Sequence, residues 1–160
     1  KKPTDLTPEE GRAAITNVYH AAAEMDAHLF GVCTYPHPVA CSGLNPYVFS
    51  GWLNGCGLGL RWSKKLRFPS HEDCKAVEDF YISLLNAYHH RYLLVDMRFA
   101  VAQKSTFTNP GGQADHRNHV TEEEDFKFLK RKFGSAIDFR RPHHANKASH
   151  QWQKRIKLPF

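Results

Sequence analysis

The sequence predicts an α+β domain: a small, mostly antiparallel sheet with two to three packed helices and a basic C-terminal extension. Three observations predict it. Apolar residues recur at helical spacing in three segments, apolar residues alternate along one long segment near the middle, and Lys and Arg concentrate after residue 125. The 160 residues, 41% of them hydrophobic, are enough for one core. We therefore expect one α+β domain over residues 1–140 and a basic, His-rich extension over 141–160.

The first predicted helix begins at Thr7, which serves as N-cap. Pro8 occupies the first helical position and Glu10 completes a capping box. Gly31 is the predicted C-terminal cap, so the helix should end near Phe30. The expected buried face, at helical spacing, is Ile15, Val18, Tyr19, Ala22, Met25 and Leu29.

A β-hairpin is predicted next, because Asn54-Gly55 is the dipeptide typical of a type I′ turn. Its strands are expected over 47–53 and 56–62. In the second strand, Gly57 and Gly59 alternate with large side chains, which leaves one face nearly bare. A face of this kind permits close approach by a helix, a ligand or a nucleic-acid backbone.

A second helix and a central strand follow the hairpin. Ser70 is the predicted N-cap, with Asp73 three residues later. The expected buried stripe of this helix is Cys74, Val77, Tyr81, Leu84, Leu85 and Tyr88. Residues 91–103 then alternate large apolar side chains with other residues, which predicts a strand in the centre of the sheet.

The third helix is predicted from a capping box formed by Thr121 and Glu124, and Gly134 is expected to end it. Its acids precede its bases, an order that suits the helix dipole. The expected inner face is Phe126, Leu129 and Phe133. A last short strand is predicted over 137–140.

Positive charge is concentrated near the C-terminus. The net charge is +6, yet residues 1–80 hold eight Lys or Arg against nine Asp or Glu, whereas residues 126–160 hold ten against Asp138 alone. Such a block is typical of proteins that bind a polyanion, and a solvated basic tail is the alternative. The leading hypothesis is a nucleic-acid-binding domain of a larger protein, with DNA and RNA both open. The candidate contacts, with Trp152 stacking on a base, are Lys127, Lys130, Arg131, Lys132, Arg140, Arg141, Lys147, Trp152, Lys154 and Arg155.

A nuclease is the second hypothesis, because five of the eleven histidines lie late in the chain. A carboxylate and several imidazoles can hold a divalent metal (Mg, Mn or Zn) that activates water, and imidazoles alone can cleave RNA by acid–base catalysis. Asp96 has an alternative role, an ion pair with Arg98 on the same strand face. The candidate catalytic residues are Asp96, His116, His119, His143, His144 and His150.

The four cysteines leave three interpretations open, one of which is a pair of disulfides in an exported protein. Cys33, His37 and Cys41 are candidate zinc ligands, although their spacing is not that of a standard finger. Buried, reduced thiols in an intracellular protein, nuclear or cytoplasmic, are the favoured alternative.

A third hypothesis is a protein-interaction domain, such as an exported effector with disulfides, whose basic tail binds an acidic protein surface. No apolar run approaches the roughly 20 residues of a membrane helix, so no membrane partner is expected. The phosphate-binding loop signature, GxSxG and HExxH are all absent from the sequence, which leaves nucleotide-binding P-loop, serine hydrolase and zinc protease chemistry without support.

Overall fold

The computed structural model describes residues 4–34, 45–102, 118–140 and 153–157. Within these residues the chain forms three helices, six strands and two short 3-10 helices. In chain order they are α1 (Pro8–Glu24), β1 (Leu29–Cys33), β2 (Tyr47–Val48), a 3-10 helix (Gly55–Gly57), β3 (Leu58–Leu60), α2 (Glu78–His90), β4 (Leu94–Ala100), α3 (His119–Phe133), a 3-10 helix (Gly134–Ala136), β5 (Ile137–Arg140) and β6 (Gln153–Ile156). A small sheet with packed helices confirms the predicted α+β class.

The main sheet has the strand order β2-β4-β1-β3. Its two central strands, β1 and β4, are parallel, with Phe30 opposite Leu94, and α2 lies in the connection between them. The outer strands β2 and β3 pair antiparallel with β4 and β1. Two of these three pairings are thus antiparallel, and β4 is central, as its alternating sequence predicts.

Helices cover both faces of this sheet. Val18 and Ala22 of α1 pack on one face, with Phe30, Val32 and Leu94. Ile82 of α2 packs on the other, in a cluster with Leu29, Leu53, Leu66, Leu93 and Val95. Because β1 and β4 contribute to both clusters, these central strands are apolar on both sides, as expected of a buried parallel pair.

Helix α2 has a second packing surface, which joins the sheet to the C-terminal elements. Phe80 and Leu84 contact α3 and β5 in one cluster that includes Phe126, Leu129 and Ile137. Strand β6 pairs antiparallel with β5, so residues 153–156 lie against residues 137–140. The division of the chain at residue 140 stays a prediction.

Helix α1 begins as predicted, but it ends at Glu24 rather than near Phe30. Asp26 adopts a left-handed conformation with φ 55°. The amide of Ala27 donates to the Ala22 carbonyl, and that of Asp26 donates to Ala23, which is the hydrogen-bond pattern of a Schellman motif. An aspartate therefore takes the place that the sequence analysis assigned to glycine, and Leu29 belongs to β1.

The predicted buried face of α1 is correct only in part. Val18 and Ala22 are buried together with Ala14. Ile15, by contrast, is 62% exposed, and Tyr19 and Met25 are exposed as well. The buried stripe is narrower than predicted: it consists of residues four apart, and Ile15 and Tyr19, each one position further along α1, point away from the sheet.

The predicted hairpin is wrong. Strand β2 pairs with β4 whereas β3 pairs with β1, so the two strands lie on opposite edges of the sheet. Asn54 has φ −74° and therefore does not form a type I′ turn. Its side-chain oxygen instead accepts from the Cys56 amide and caps the 3-10 helix.

The bare face of β3 is occupied by β1 and its neighbours rather than by a ligand. A Cβ on Gly59 would lie 2.5 Å from the Phe30 ring, and one on Gly57 would lie 2.8 Å from Thr34 Cγ2. Gly59 of β3 and Gly57 of the preceding 3-10 helix therefore serve internal packing.

Helix α2 begins at Glu78, later than predicted. Ser70 and Asp73 form a local turn in which the Asp73 amide donates to Ser70 Oγ. The amides of Lys75 and Ala76 donate to the buried Asp125 of α3, at 2.9 and 2.6 Å, and are therefore not available to a helix.

The predictions for α2 and α3 differ from the structure at two further residues. The predicted buried stripe of α2 fails at Tyr88, which is 69% exposed. Helix α3 is capped by Asn118 rather than Thr121, and it ends at Gly134 as predicted, with φ 57°.

Candidate nucleic-acid interface

The cations of α3 lie on the side that faces away from the core. Phe126 and Leu129 are fully buried, and residues three and four apart share one face of a helix. Lys127, Lys130 and Arg131 therefore form a common outer face, and all three are exposed. We call these three residues the basic helix face.

Each cation of α3 has a different local role. Lys130 Nζ donates to the Ile137 carbonyl at 2.9 Å and so ties α3 to β5. Lys127 forms an exposed ion pair with Glu123 at 2.8 Å, and Lys132 Nζ lies 5.8 Å from the Phe128 ring centroid. Arg131 has no ion-pair or hydrogen-bond partner within the described ranges, so its guanidinium is available to a ligand.

Strands β5 and β6 continue the positive charge. Their register places Arg155 opposite Asp138 and Lys154 opposite Phe139. Lys157 Nζ forms a 3.0 Å ion pair with Asp138, which neutralises the one acid of residues 126–140 and 153–157. Eight Lys or Arg lie in those two stretches. We call this pair of strands the basic ribbon.

Most of the other residues predicted to form a binding, catalytic or metal site lie outside the described residues. The candidate nucleic-acid contacts in that group are Arg141, Lys147 and Trp152, the candidate catalytic residues are His116, His143, His144 and His150, and the candidate zinc ligands are His37 and Cys41. The structure gives backbone positions alone for His119, Arg140, Lys154 and Arg155. Their roles stay predictions.

Asp96 is fully buried and bound by Arg98. Its Oδ1 accepts from the Arg98 backbone amide and from Nε, both at 3.0 Å, and its Oδ2 accepts from Nη2 at 2.7 Å. The hydrogen bond to Asp96 is the main reason why the pKa of Arg98 is raised above its ordinary value. Both oxygens are thus engaged, and the geometry matches the ion-pair alternative rather than a general base or metal ligand.

No group of three or more His, Cys, Asp or Glu that could hold a metal ion is found among residues 4–34, 45–102, 118–140 and 153–157. Cys33 is buried in β1, and no disulfide joins any two of Cys33, Cys56 and Cys74. Burial, together with nearby Asp125, raises the pKa of Cys74 to about 12. This thiol therefore stays protonated at neutral pH.

One cluster was not predicted from the sequence. The rings of His28 and His90 lie with their centroids 4.0 Å apart, and His90 Nε2 is 3.0 Å from Ser63 Oγ. His28 Nδ1 is buried without a hydrogen-bond partner among the described residues. These residues come from three separate segments, so no local spacing could have revealed them.

This histidine cluster predicts a pH-dependent stability. Burial, and then the neighbouring His28 and His89, lower the pKa of His90 below its ordinary value of 6.5, against an opposing effect of Asp26. A lowered folded-state pKa means that the unfolded chain binds the proton more tightly, so stability is full above about pH 6.5 and falls as the pH drops below it. We expect urea unfolding to give a lower free energy at about pH 5.5 than at about pH 7.5.

Two variants test the assignment to His90. His90→Gln keeps a polar group beside Ser63 but does not titrate, so it should flatten the pH dependence. His20→Gln, at an exposed position of α1, should leave it unchanged. Equal slopes for wild type and His90→Gln would contradict the assignment.

No family model, curated protein or solved structure matches the chain. Within the described residues, no helix has both the length and the apolar character to cross a membrane.

Proposed function

We propose that the chain is a nucleic-acid-binding domain whose phosphate contacts come from the basic helix face, Lys132 and the basic ribbon. The observation that supports this most is the charge of residues 126–140 and 153–157: eight Lys or Arg, and one acid that is already paired with Lys157. Neutralising phosphates with such a surface releases condensed counterions, which favours binding. Glu123 and Asp138 each pair with one of these cations, so most of the positive charge of this surface remains.

The cations divide into structural and exposed groups. Lys130 and Lys157 hold β5 through Ile137 and Asp138, so they also order the ribbon. Arg131 makes no such contact among the described residues. The exposed ion pair of Lys127 stabilises the fold little in water. Arg131 is therefore our first choice for a phosphate contact. The proposal extends to the ribbon residues Arg140, Lys154 and Arg155 and to Arg141, Lys147 and Trp152 of the extension.

The test is a titration of labelled DNA and RNA, single- and double-stranded, over a series of salt concentrations. We expect affinity to fall linearly on a logarithmic scale with salt, and Arg131→Gln to reduce that slope by about one. The triple variant Lys127→Gln, Arg131→Gln, Arg155→Gln should reduce it by about three and weaken binding about tenfold or more.

The matched control is Arg12→Gln, which removes one exposed guanidinium from α1 and should change neither slope nor affinity. Equal effects of Arg131→Gln and Arg12→Gln would reject α3 as the interface. Absence of binding at low salt, or equally tight binding of polyglutamate, would reject the proposal and favour the acidic protein partner. Cleavage products of the DNA or RNA on a gel, with Mg²⁺ or Mn²⁺ present, would favour the nuclease hypothesis over simple binding.

An intracellular location, nuclear or cytoplasmic, is part of the same proposal. It is supported by Cys56 and Cys74, which are both free thiols. Disulfides persist mainly in oxidising compartments, and reduced thiols are typical of the cytosol and nucleus.

A further inference from the structure

The segment 61–68, which follows β3, presents aromatic and basic side chains on the surface. Trp62 is 72% exposed, and Phe68 is exposed as well. The segment contains four Lys or Arg and no acid. We call it the Trp62 loop.

Two buried residues fix the Trp62 loop to the core. Leu66 packs in the cluster between α2 and the sheet. Ser63 is buried, lies within hydrogen-bond distance of His90 at the end of α2, and accepts from the Lys65 amide at 3.1 Å. The loop is thereby anchored at two points between its exposed side chains.

Two arginines stiffen the same loop. Arg61 Nη1 lies within 3.3 Å of the Asp26 carboxylate and of the Ala22 and Ala27 carbonyls, which binds the start of the loop to the end of α1. Arg67 Nη1 donates to the carbonyls of Ser63 and Leu66, at 2.7 and 2.9 Å, and closes the loop on itself. These guanidiniums hold the loop in shape.

Three exposed side chains of the loop, Trp62, Lys64 and Lys65, remain for contact with a ligand. Lys64 and Lys65 are exposed, and neither ammonium has an ion-pair or hydrogen-bond partner in the part of the chain that the structure describes. Trp62 follows Arg61 and precedes the two lysines in the sequence, and most of its surface is exposed to water. A held loop presents these groups at a low entropic cost of binding.

We propose that the Trp62 loop binds single-stranded nucleic acid, with a base stacked on Trp62 and neighbouring phosphates contacted by Lys64 and Lys65. This inference rests on the proposed function and adds the class of nucleic acid. Unpaired bases offer their faces to aromatic side chains, whereas bases in a duplex are already stacked on each other. An acidic peptide would use the lysines but would leave the exposed indole without a matching group.

The experiment compares Trp62→Ala with Tyr88→Ala, which removes an equally exposed aromatic ring from α2. We expect Trp62→Ala to weaken the binding of labelled oligothymidine by about 5- to 100-fold, the range for loss of one stacked base. Duplex DNA should bind both variants like wild type. Trp62→Phe should recover most of the affinity, and Lys64→Gln with Lys65→Gln should lower the salt slope for oligothymidine by about 1.4. Circular dichroism checks that each variant is folded.

Two results would overturn the inference while leaving the proposed function intact. One is equal oligothymidine affinity of Trp62→Ala and Tyr88→Ala, when wild type still binds with a salt slope that Arg131→Gln reduces. The other is an equal loss of duplex and single-strand binding in Trp62→Ala. If wild type binds no nucleic acid, both proposals fail together, and tight binding of polyglutamate that depends on Lys64 and Lys65 would assign the loop to an acidic protein.

Discussion

Arg98→Ala is expected to lower the free energy of unfolding by about 3 kcal/mol at neutral pH, since it leaves a buried charge without its partner. Asp96 is 0% exposed, and every hydrogen bond to its carboxylate that the structure shows comes from Arg98. Removing one partner of a buried pair costs about 3–5 kcal/mol. The Arg98 side chain is 43% exposed, so water replaces part of what it supplies and the lower end of that range applies.

A second variant tests whether the unpaired charge is the cause of the loss. Asp96→Asn combined with Arg98→Ala should recover much of the loss at neutral pH, because the amide carries no charge. Urea unfolding of wild type, the single variant and the double variant measures this effect. A deficit that Asp96→Asn does not reduce would mean that Arg98 acts mainly through packing on Tyr47 and Phe99, over whose rings its guanidinium lies.

Elements with strong local signals were predictable from the sequence. The capping box of α1 exists, with Glu10 N donating to Thr7 Oγ1 and Thr7 N donating to the Glu10 carboxylate. The alternation of β4 placed that strand in the centre of the sheet, and Gly134 ends α3. In each case, side chains within a few positions determine the structure, so no distant contact is needed to identify it.

Two of the wrong predictions lie where a distant contact overrides the local signal. Asn54-Gly55 is a strong turn dipeptide, but β1 and β4 pair with each other and place β2 and β3 on opposite edges. Ser70 with Asp73 resembles a helix start, but Asp125 takes the amides of Lys75 and Ala76. Sequence patterns do not show such tertiary partners.

The candidate nucleic-acid interface could be predicted from the sequence only in part. Lysines and arginines remain exposed in almost any fold, so the basic surface of α3 could be identified from its sequence. The division of its cations into structural Lys130 and available Arg131 required the position of the Ile137 carbonyl. The Trp62 loop could not be identified as a binding element from the sequence, because its shape depends on Ser63 and Leu66 being buried.

Gly31→Ala is expected to destabilise the fold by about 3 kcal/mol, the upper end of the usual cost of overpacking a core. Gly31 pairs with Val95 on one side and Leu58 on the other, in the middle of the main sheet. A Cβ at this position would lie 2.0 Å from the Gly57 carbonyl oxygen. Because that atom belongs to the backbone, no side-chain rotation can make room, and β1 and the Gly55–Gly57 turn must separate.

Gly11→Ala provides the matched control for this variant. Nothing lies within 4 Å of a Cβ at Gly11, which is inside α1. Alanine favours a helix over glycine by about 0.5–1 kcal/mol, so this variant should be slightly more stable than wild type. Thermal or urea unfolding measures both variants. If the close approach of Gly57 excludes a side chain at position 31, Gly31→Ala is less stable than wild type and Gly11→Ala is more stable. Similar stabilities for the two would show that β1 and the Gly55–Gly57 turn can move apart at little cost, and that the close approach of Gly57 does not require glycine at position 31.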